Sequence, residues 1–134
     1  NVEKLTRQVC MEDDVYFLGK QEAVEELLAI ADLFVLPSET ESFGLAALEA
    51  MACEVPVIST NTGGIPEINV QGVTGYLSNV GDVDDMAANA IKILSDESTL
   101  LQFRKNAIAQ ANKFSLDSIL PMYEAYYRKV IEQK

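Results

Sequence analysis

The sequence predicts an α/β domain, a parallel sheet flanked by helices. Three observations carry that expectation. Short apolar runs alternate with helical periods through the first half of the chain. The run Leu33–Leu36 shows no polar alternation, so it is expected to be a strand buried on both faces. Pro37, Gly44, Pro56 and Gly63-Gly64 punctuate the junctions between elements. Strand–helix alternation implies parallel pairing through right-handed connections.

Taken in order, residues Asn1 to Asp14 are weakly helical, with Leu5 and Val9 at helical spacing. Glu12-Asp13-Asp14 reads as a solvated acidic turn rather than a metal site. Val15–Leu18 is rich in β-forming residues and ends at Gly19, a first strand and a tight turn. Gln21–Asp32 places Val24, Leu27, Leu28 and Ala31 on one face, with Glu22, Glu25 and Glu26 near the positive end of the helix. Leu33–Leu36 is the second strand. A polar loop follows, then a small-residue apolar helix from Leu45 to Cys53, expected to be buried. Glu54-Val55-Pro56 ends it, because a residue before proline leaves the helical region.

Val57–Ser59 is the third strand, Asn61–Gly64 a loop with two glycines free to take positive φ, and Ile65-Pro66-Glu67 a helix start. Gly72–Leu77 turns into a fourth strand. The remainder is helical. Asp82 is a helix N-cap, which explains Asp82, Asp84 and Asp85 better than a metal would. Val83, Met86, Ala87, Ala90, Ile91 and Leu94 form the expected inward stripe of that helix. A further helix spans Glu97 to Lys113, using Leu100, Phe103 and Ala107. Ser115 caps the last one, where Leu116, Ile119, Leu120, Tyr123, Tyr127 and Val130 face one way, and Pro121 predicts a kink or a restart.

The chain of 134 residues bounds this at one domain, and 49% hydrophobic residues can bury a core. A formal net charge of -11 excludes a phosphate-binding nucleic-acid surface and disfavours an anionic membrane. No stretch reaches the length of a membrane span, and the first residues do not read as a signal peptide. With two distant cysteines, Cys10 and Cys53, no disulfide framework is suggested, and a reducing, cytoplasmic setting is expected. The absence of His removes Ser-His and Cys-His triads and the usual zinc constellations. The chain opens without a punctuated start, so it is expected to be part of a longer protein.

Ligands of open α/β sheets bind beyond the carboxyl ends of the strands. That rule singles out the loop after Leu36 and the start of the next helix. Its backbone N–H groups near Ser42-Phe43-Gly44-Leu45 offer a site for phosphate or carboxylate, and Gly44 allows close approach. Glu41 precedes the helix; by pattern alone it either faces the ligand or complements the helix dipole. Glu49 lies on a helix face with Leu45, Ala46, Ala52 and Cys53. It is at a rim or held by a polar partner, because an unpaired buried charge is costly. There is no Gly-rich dinucleotide fingerprint and no Walker-type motif.

Glu41-Ser42-Phe43-Gly44-Leu45-Ala46-Ala47-Leu48-Glu49 resembles the Glu-x7-Glu signature of retaining glycosyltransferases of the GT-B fold, family 4 type. Val15–Gly19, Ala31–Ser38, Pro56–Ile58, Gly63–Glu67, Gly72–Gly75 and Phe114-Ser115 resemble the family in its order, over nearly the whole chain. One departure is Glu54, where the family often has Gly.

The resemblance implies that residues 1–134 are an incomplete carboxy-terminal donor-binding domain, Rossmann-like, whose last helix crosses toward a missing amino-terminal domain. There Tyr123, Tyr126 and Tyr127 would pack between domains, the alternative being core packing. In isolation that helix is expected to be among the most mobile parts. The resemblance assigns Glu41 to the transferred sugar and Glu49 to the ribose hydroxyls of a UDP-sugar. It gives the N–H groups of Phe43, Gly44 and Leu45 to the sugar or distal phosphate, and the turn Leu18-Gly19-Lys20 to the nucleobase. Gly63 and Gly64 would lie near the reacting region.

The activity implied is transfer of N-acetylglucosamine from a UDP-sugar to a small hydroxyl acceptor, L-malate of bacillithiol biosynthesis being the acceptor indicated. No cofactor and no metal are expected. The cations that clamp the diphosphate and the acceptor pocket would lie outside this chain, which would be inactive alone. Assembly into a homo-oligomer is left open. Alternatives are a non-catalytic nucleotide-sugar module, or a family 4 enzyme acting on a glycolipid or polysaccharide. A sugar-nucleotide isomerase of similar fold would need a catalytic His that this chain lacks.

Overall fold

A computed structural model describes residues 2–133. Three strands form one parallel sheet in the order β1 (Phe34–Leu36), β2 (Val57–Thr60), β3 (Gly75–Ser78). Phe34 pairs with Val57, and Val57 in turn with Gly75, so the carboxyl ends of all three strands share one edge. The helices are α1 (Val2–Gln8), α2 (Val24–Leu28), α3 (Leu45–Ala52), α4 (Ile65–Ile68), α5 (Val83–Leu94), α6 (Glu97–Ala111) and α7 (Leu116–Glu132), with a 3-10 turn at Asn112–Phe114.

The core divides about the sheet. On one side Ala47, Ala50 and Met51 of α3 pack with Val55, Val57, Ile68, Ala107, Ala111 and Leu28. On the other, Ile58 packs with Met86, Ile93 and Phe103. β2 is buried at all four positions. Ala47, Ala50 and Met51 on the inner face of α3 are fully buried against this core, so the loop entering the helix is held near the strand ends.

Several expectations are corrected. Val15–Leu18 forms no strand: it pairs with no other described strand, and an apolar run needs a ladder to be one. Tyr16, Phe17 and Leu18 are exposed, Tyr16 at 80%, and Val15 is only partly covered. The expected helix over Gln21–Asp32 shrinks to the five residues of α2. Only Leu28 of it is buried, and the backbone tightens into turns from Ala29 onward. A helix that short depends on its tertiary contacts. β1 is covered on one face only. Phe34 and Leu36 turn toward α3, whereas Val35, on the opposite face of the strand, is half exposed.

α3 is likewise buried on one side, with Leu45, Ala46, Glu49 and Ala52 facing outward. In α5 the buried positions are Met86, Asn89 and Ile93, with Ala90 packed against the same cluster, so Met86 and Ala90 of the expected stripe face inward and its other members do not. Val83, Ala87, Ile91 and Leu94 face outward. Asn89 tolerates burial because its amide is bonded to Asp85 (3.0 Å) and receives Lys92 Nζ (2.9 Å). Helix α7 runs through Pro121 as one element and has no buried residue. Tyr123, Tyr126 and Tyr127 are each about 60% exposed, so they do not belong to the core of this chain.

Caps match the sequence. Asp82 accepts a hydrogen bond from the Asp85 N–H (3.1 Å), and Ser115 Oγ accepts one from the Ser118 N–H (3.3 Å). Asp96 caps α6 by accepting from the Ser98 hydroxyl and from the hydroxyl and N–H of Thr99, and these donors hold its carboxyl below the ordinary aspartate value. Arg104 of α6 reaches Asp32 (2.6 Å) and the Ala31 carbonyl (3.1 Å), tying that helix to the entry of β1.

The end of α3 explains the Glu54 departure. The Val55 N–H donates to the Ala50 carbonyl and the Glu54 N–H to the Met51 carbonyl, which closes the helix with Glu54 at φ 62°. A residue with a Cβ pays about 1 kcal/mol there relative to Gly. Glu54→Gly is therefore expected to stabilise the protein by about 1 kcal/mol, read as a higher urea midpoint at unchanged slope.

Candidate functional site

The site is built from two loops at the carboxyl edge of the sheet, Pro37–Gly44 after β1 and Asn61–Gly64 after β2. The last residue of β2 and the second loop hold the first. The Thr60 hydroxyl donates to the Ser38 carbonyl at 2.6 Å. The Thr62 hydroxyl donates to the Glu39 carbonyl at 3.3 Å, and the Gly64 N–H to the Ser42 carbonyl at 3.1 Å.

Gly63 and Gly64 make this approach sterically feasible. A Cβ on Gly63 would stand 1.5 Å from the Glu41 carbonyl oxygen, and one on Gly64 would be 2.7 Å from the Ser42 carbonyl oxygen. Gly63 has positive φ (57°), whereas Gly64 at φ -84° does not, so only one of the two glycines uses the conformational freedom expected of both. Gly64 is needed for space.

Gly44 begins α3 with φ 93° and is buried; a Cβ there would meet Ile65 Cγ1 at 3.2 Å. Among the described residues no side chain caps this helix end, so the first N–H groups of α3 have no side-chain acceptor at the positive pole of the dipole. Phe43 turns its ring edge-on to Phe114, with centroids 6.1 Å apart, and so anchors the loop to the 3-10 turn before α7. Its backbone, not its ring, is what it can offer a ligand.

Glu41 is partly exposed, and its Oε1 accepts from the Ser42 N–H at 3.1 Å. The carboxylate is thereby oriented by its own loop. Glu49 is exposed on the outer face of α3, and none of the described residues forms an ion pair with it. It faces water at a rim, one of the arrangements the sequence left open.

Two grooves meet at Glu49. One, of about 370 Å³, runs between α2 and α3 and is lined by Glu22, Val24, Glu25, Leu28, Ala52 and Cys53 besides Glu49. The other, of about 250 Å³, lies between α3 and the α6–α7 junction, with Leu45, Leu48, Ala111 and Phe114 on its walls. Among the described residues, the lining of the first is acidic and apolar with no cation. Carboxylates accept from hydroxyl or amine donors and repel phosphate, so the groove suits a polyhydroxyl group.

The structure thus brings Glu41, Phe43, Gly44, Leu45, Gly63 and Gly64 to one place and sets Glu49 beside it along α3. The turn Leu18-Gly19-Lys20 is exposed and does not line the groove itself; Glu22, just beyond it, does. Sequence reading missed Thr60, Thr62 and Phe114 as supports, and Glu22 and Glu25 as groove walls. Nothing local in the sequence signals that the two threonines bond residues 22 and 23 positions earlier. Among the described residues, no three His, Cys, Asp or Glu side chains are grouped to hold a metal ion, and no helix is long and apolar enough to cross a membrane.

Comparison with known proteins converges on one family. The chain is 46% identical over 129 residues to N-acetyl-alpha-D-glucosaminyl L-malate synthase of Bacillus anthracis, covering 96% of this chain and 34% of that protein. It is 34% identical over 126 residues to D-inositol 3-phosphate glycosyltransferase of Mycolicibacterium smegmatis, covering 90% and 29% respectively. Among solved structures, that of Anabaena HepE in complex with UDP superposes with a TM-score of 0.89 at 27% identity, over 96% of this chain and 36% of that one. The chain therefore spans about a third of the length of these proteins, and its sheet and helices superpose on part of the Rossmann-like fold of the solved structure. The family model of glycosyl transferases group 1 matches residues 1–110, and the chain belongs to that family.

Proposed function

We propose that this chain is the larger part of the carboxy-terminal donor-binding domain of a retaining glycosyltransferase. The enzyme takes N-acetylglucosamine from a UDP-sugar and passes it to a small hydroxyl acceptor, with L-malate as the first candidate. The observation that carries the reading is the placement of Glu41 and Glu49 on either side of an uncapped helix start at the carboxyl edge of a parallel sheet. The likeness to the Bacillus anthracis synthase supports the choice of sugar and acceptor, and the likeness to a UDP-bound structure supports the choice of nucleotide. The acceptor is the looser half of this reading, since the chain is also similar to an enzyme named for inositol phosphate.

Each residue then has a physical task. Glu49 accepts hydrogen bonds from the ribose hydroxyls, at the head of the acidic groove. The turn Leu18-Gly19-Lys20 borders the base. Glu41 accepts from hydroxyls of the sugar and orients it. The N–H groups of Phe43, Gly44 and Leu45 stabilise charge that grows on the sugar–phosphate end as the bond breaks. The leaving phosphate oxygen takes the acceptor proton, so no basic side chain is required from this chain, nor a metal from this domain. Cations for the diphosphate and the acceptor pocket come from the remainder of the longer protein, toward which α7 carries Tyr123, Tyr126 and Tyr127. By itself the chain is inactive.

The test is mass spectrometry of products from the full-length protein offered a panel of UDP-sugars and hydroxy acids. A product of N-acetylglucosamine joined to malate is expected; release of UDP with no glycoside from any pair would overturn the reading. Substitutions divide the labour. Glu49→Ala is expected to weaken UDP binding about 10- to 100-fold, the effect of losing charge-assisted hydrogen bonds. Glu41→Ala is expected to leave UDP affinity within about twofold and to lower turnover roughly 100-fold or more. Unchanged transfer rates in both variants would contradict the assignment.

A further inference from the structure

The β1–β2 ladder ends at Leu36↔Ser59. Beyond it Pro37 has no N–H to continue the pairing, yet the chain must still be steered into the loop that carries Glu41. The Thr60 side chain takes over at that point. It is 1% exposed, lies one residue past the last ladder pair, and its hydroxyl reaches the Ser38 carbonyl at 2.6 Å. At the far end of the same loop the Gly64 N–H holds the Ser42 carbonyl at 3.1 Å. Glu41 lies between these two fixed points, with its own carbonyl against Gly63. The Thr62 bond to Glu39 at 3.3 Å is longer and its residue more exposed, which makes Thr60 the firmer of the two side-chain ties.

We propose that Thr60 is a positioning residue: its buried hydroxyl fixes the start of the Glu41 loop, and through it the carboxylate that orients the transferred sugar. The inference rests on the donor-binding reading above. Its expected signature is a split between binding and turnover. Glu49 stands on α3, whose placement comes from the packing of Ala47, Ala50 and Met51, so nucleotide affinity does not depend on Thr60. The orientation of Glu41 does.

Thr60→Val keeps the shape and removes the hydroxyl, whereas Thr60→Ser keeps the hydroxyl and removes the methyl. The full-length protein and both variants are compared for UDP affinity by calorimetry, for turnover and KM with UDP-N-acetylglucosamine, and for thermal midpoint. Thr60→Val is expected to lose about tenfold or more in turnover, as small displacements of an orienting group do, with UDP affinity within about twofold. Thr60→Ser is expected to recover to within about twofold of the parent.

Two results would overturn the role: Thr60→Val turning over at the parent rate, or Thr60→Ser falling as far as Thr60→Val, which would make the methyl group's packing the cause. Should Thr60→Val not fold, Thr60→Ala takes its place in the same comparison with the same expected split. A parent protein that binds no UDP would overturn the donor-binding reading itself, and this inference with it. A parent that binds and turns over beside an unaffected Thr60→Val overturns the Thr60 role alone.

Discussion

Replacing Gly63 by alanine is expected to slow sugar transfer about 100-fold or more while leaving the sheet folded. The added Cβ would fall 1.5 Å from the Glu41 carbonyl oxygen and 2.7 Å from its carbonyl carbon. Both are backbone atoms, so no side-chain rotation relieves the overlap. Its φ of 57° adds a strain of about 1–2 kcal/mol for any residue with a Cβ. The two loops must separate, and that breaks the close approach that places Glu41. β2 ends at Thr60, ahead of the substitution, and α3 is packed by its own inner face. Turnover is therefore expected to fall about 100-fold or more, with UDP affinity at Glu49 changing far less and circular dichroism preserved. Parent-level turnover in Gly63→Ala would show that the geometry of this contact is irrelevant to the reaction.

The second large effect is on stability. Asn69 is fully buried between β2 and β3. Its Nδ2 lies within hydrogen-bond distance of the Ser59 hydroxyl (2.8 Å), the Val57 carbonyl (3.1 Å) and the Tyr76 carbonyl (3.2 Å). Its Oδ1 accepts from the Thr74 hydroxyl at 2.9 Å, and that hydroxyl in turn accepts from the Val70 N–H at 2.7 Å. One side chain thus satisfies polar atoms of both strands and of the turn between α4 and β3. Asn69→Ala leaves the buried Ser59 hydroxyl without this partner and takes one from Thr74, at about 1–3 kcal/mol for a buried polar group left unpaired, and opens a cavity besides. A loss of roughly 3–5 kcal/mol is expected, a large fraction of the 5–15 kcal/mol that holds a typical domain together. Urea denaturation measures it. A midpoint equal to that of the parent would mean that water replaces the amide at no cost.

Some of this was legible in the chain itself. The strand–helix alternation led to a parallel sheet, and β1, α3, β2, α4, β3, α5, α6 and α7 fall where their local signals place them. Asp82 and Ser115 act as caps because a short oxygen beside free N–H groups needs no distant partner. The Glu41–Glu49 stretch was singled out by the same local logic. Where the reading failed, a distant partner decided. Val15–Leu18 has β-forming residues, but strand formation depends on a neighbour to pair with. The expected α5 stripe is right at Met86 and Ala90 but omits Ile93 and Asn89; Asn89 is polar, yet its burial is compensated by Asp85 and Lys92 on the same helix. The outward apolar residues of α3 and α7 look like core in sequence, and only the packing shows which face the sheet occupies.

Sequence by itself determined the class of fold, the helix caps, and the two carboxylates eight residues apart about a helix start, because these follow from periodicity and nearest-neighbour chemistry. Tertiary structure alone decided how the loop that carries Glu41 and the sheet beneath it are held. The contact of Gly63 with the Glu41 carbonyl, the reach of Thr60 to Ser38, the edge of Phe43 on Phe114 and the Asn69 hub join residues far apart in the chain. Such contacts exist only once β1 and β2 lie side by side. Steric exclusion at under 3 Å and hydrogen bonding near 3 Å act through space, and a linear sequence records neither distance.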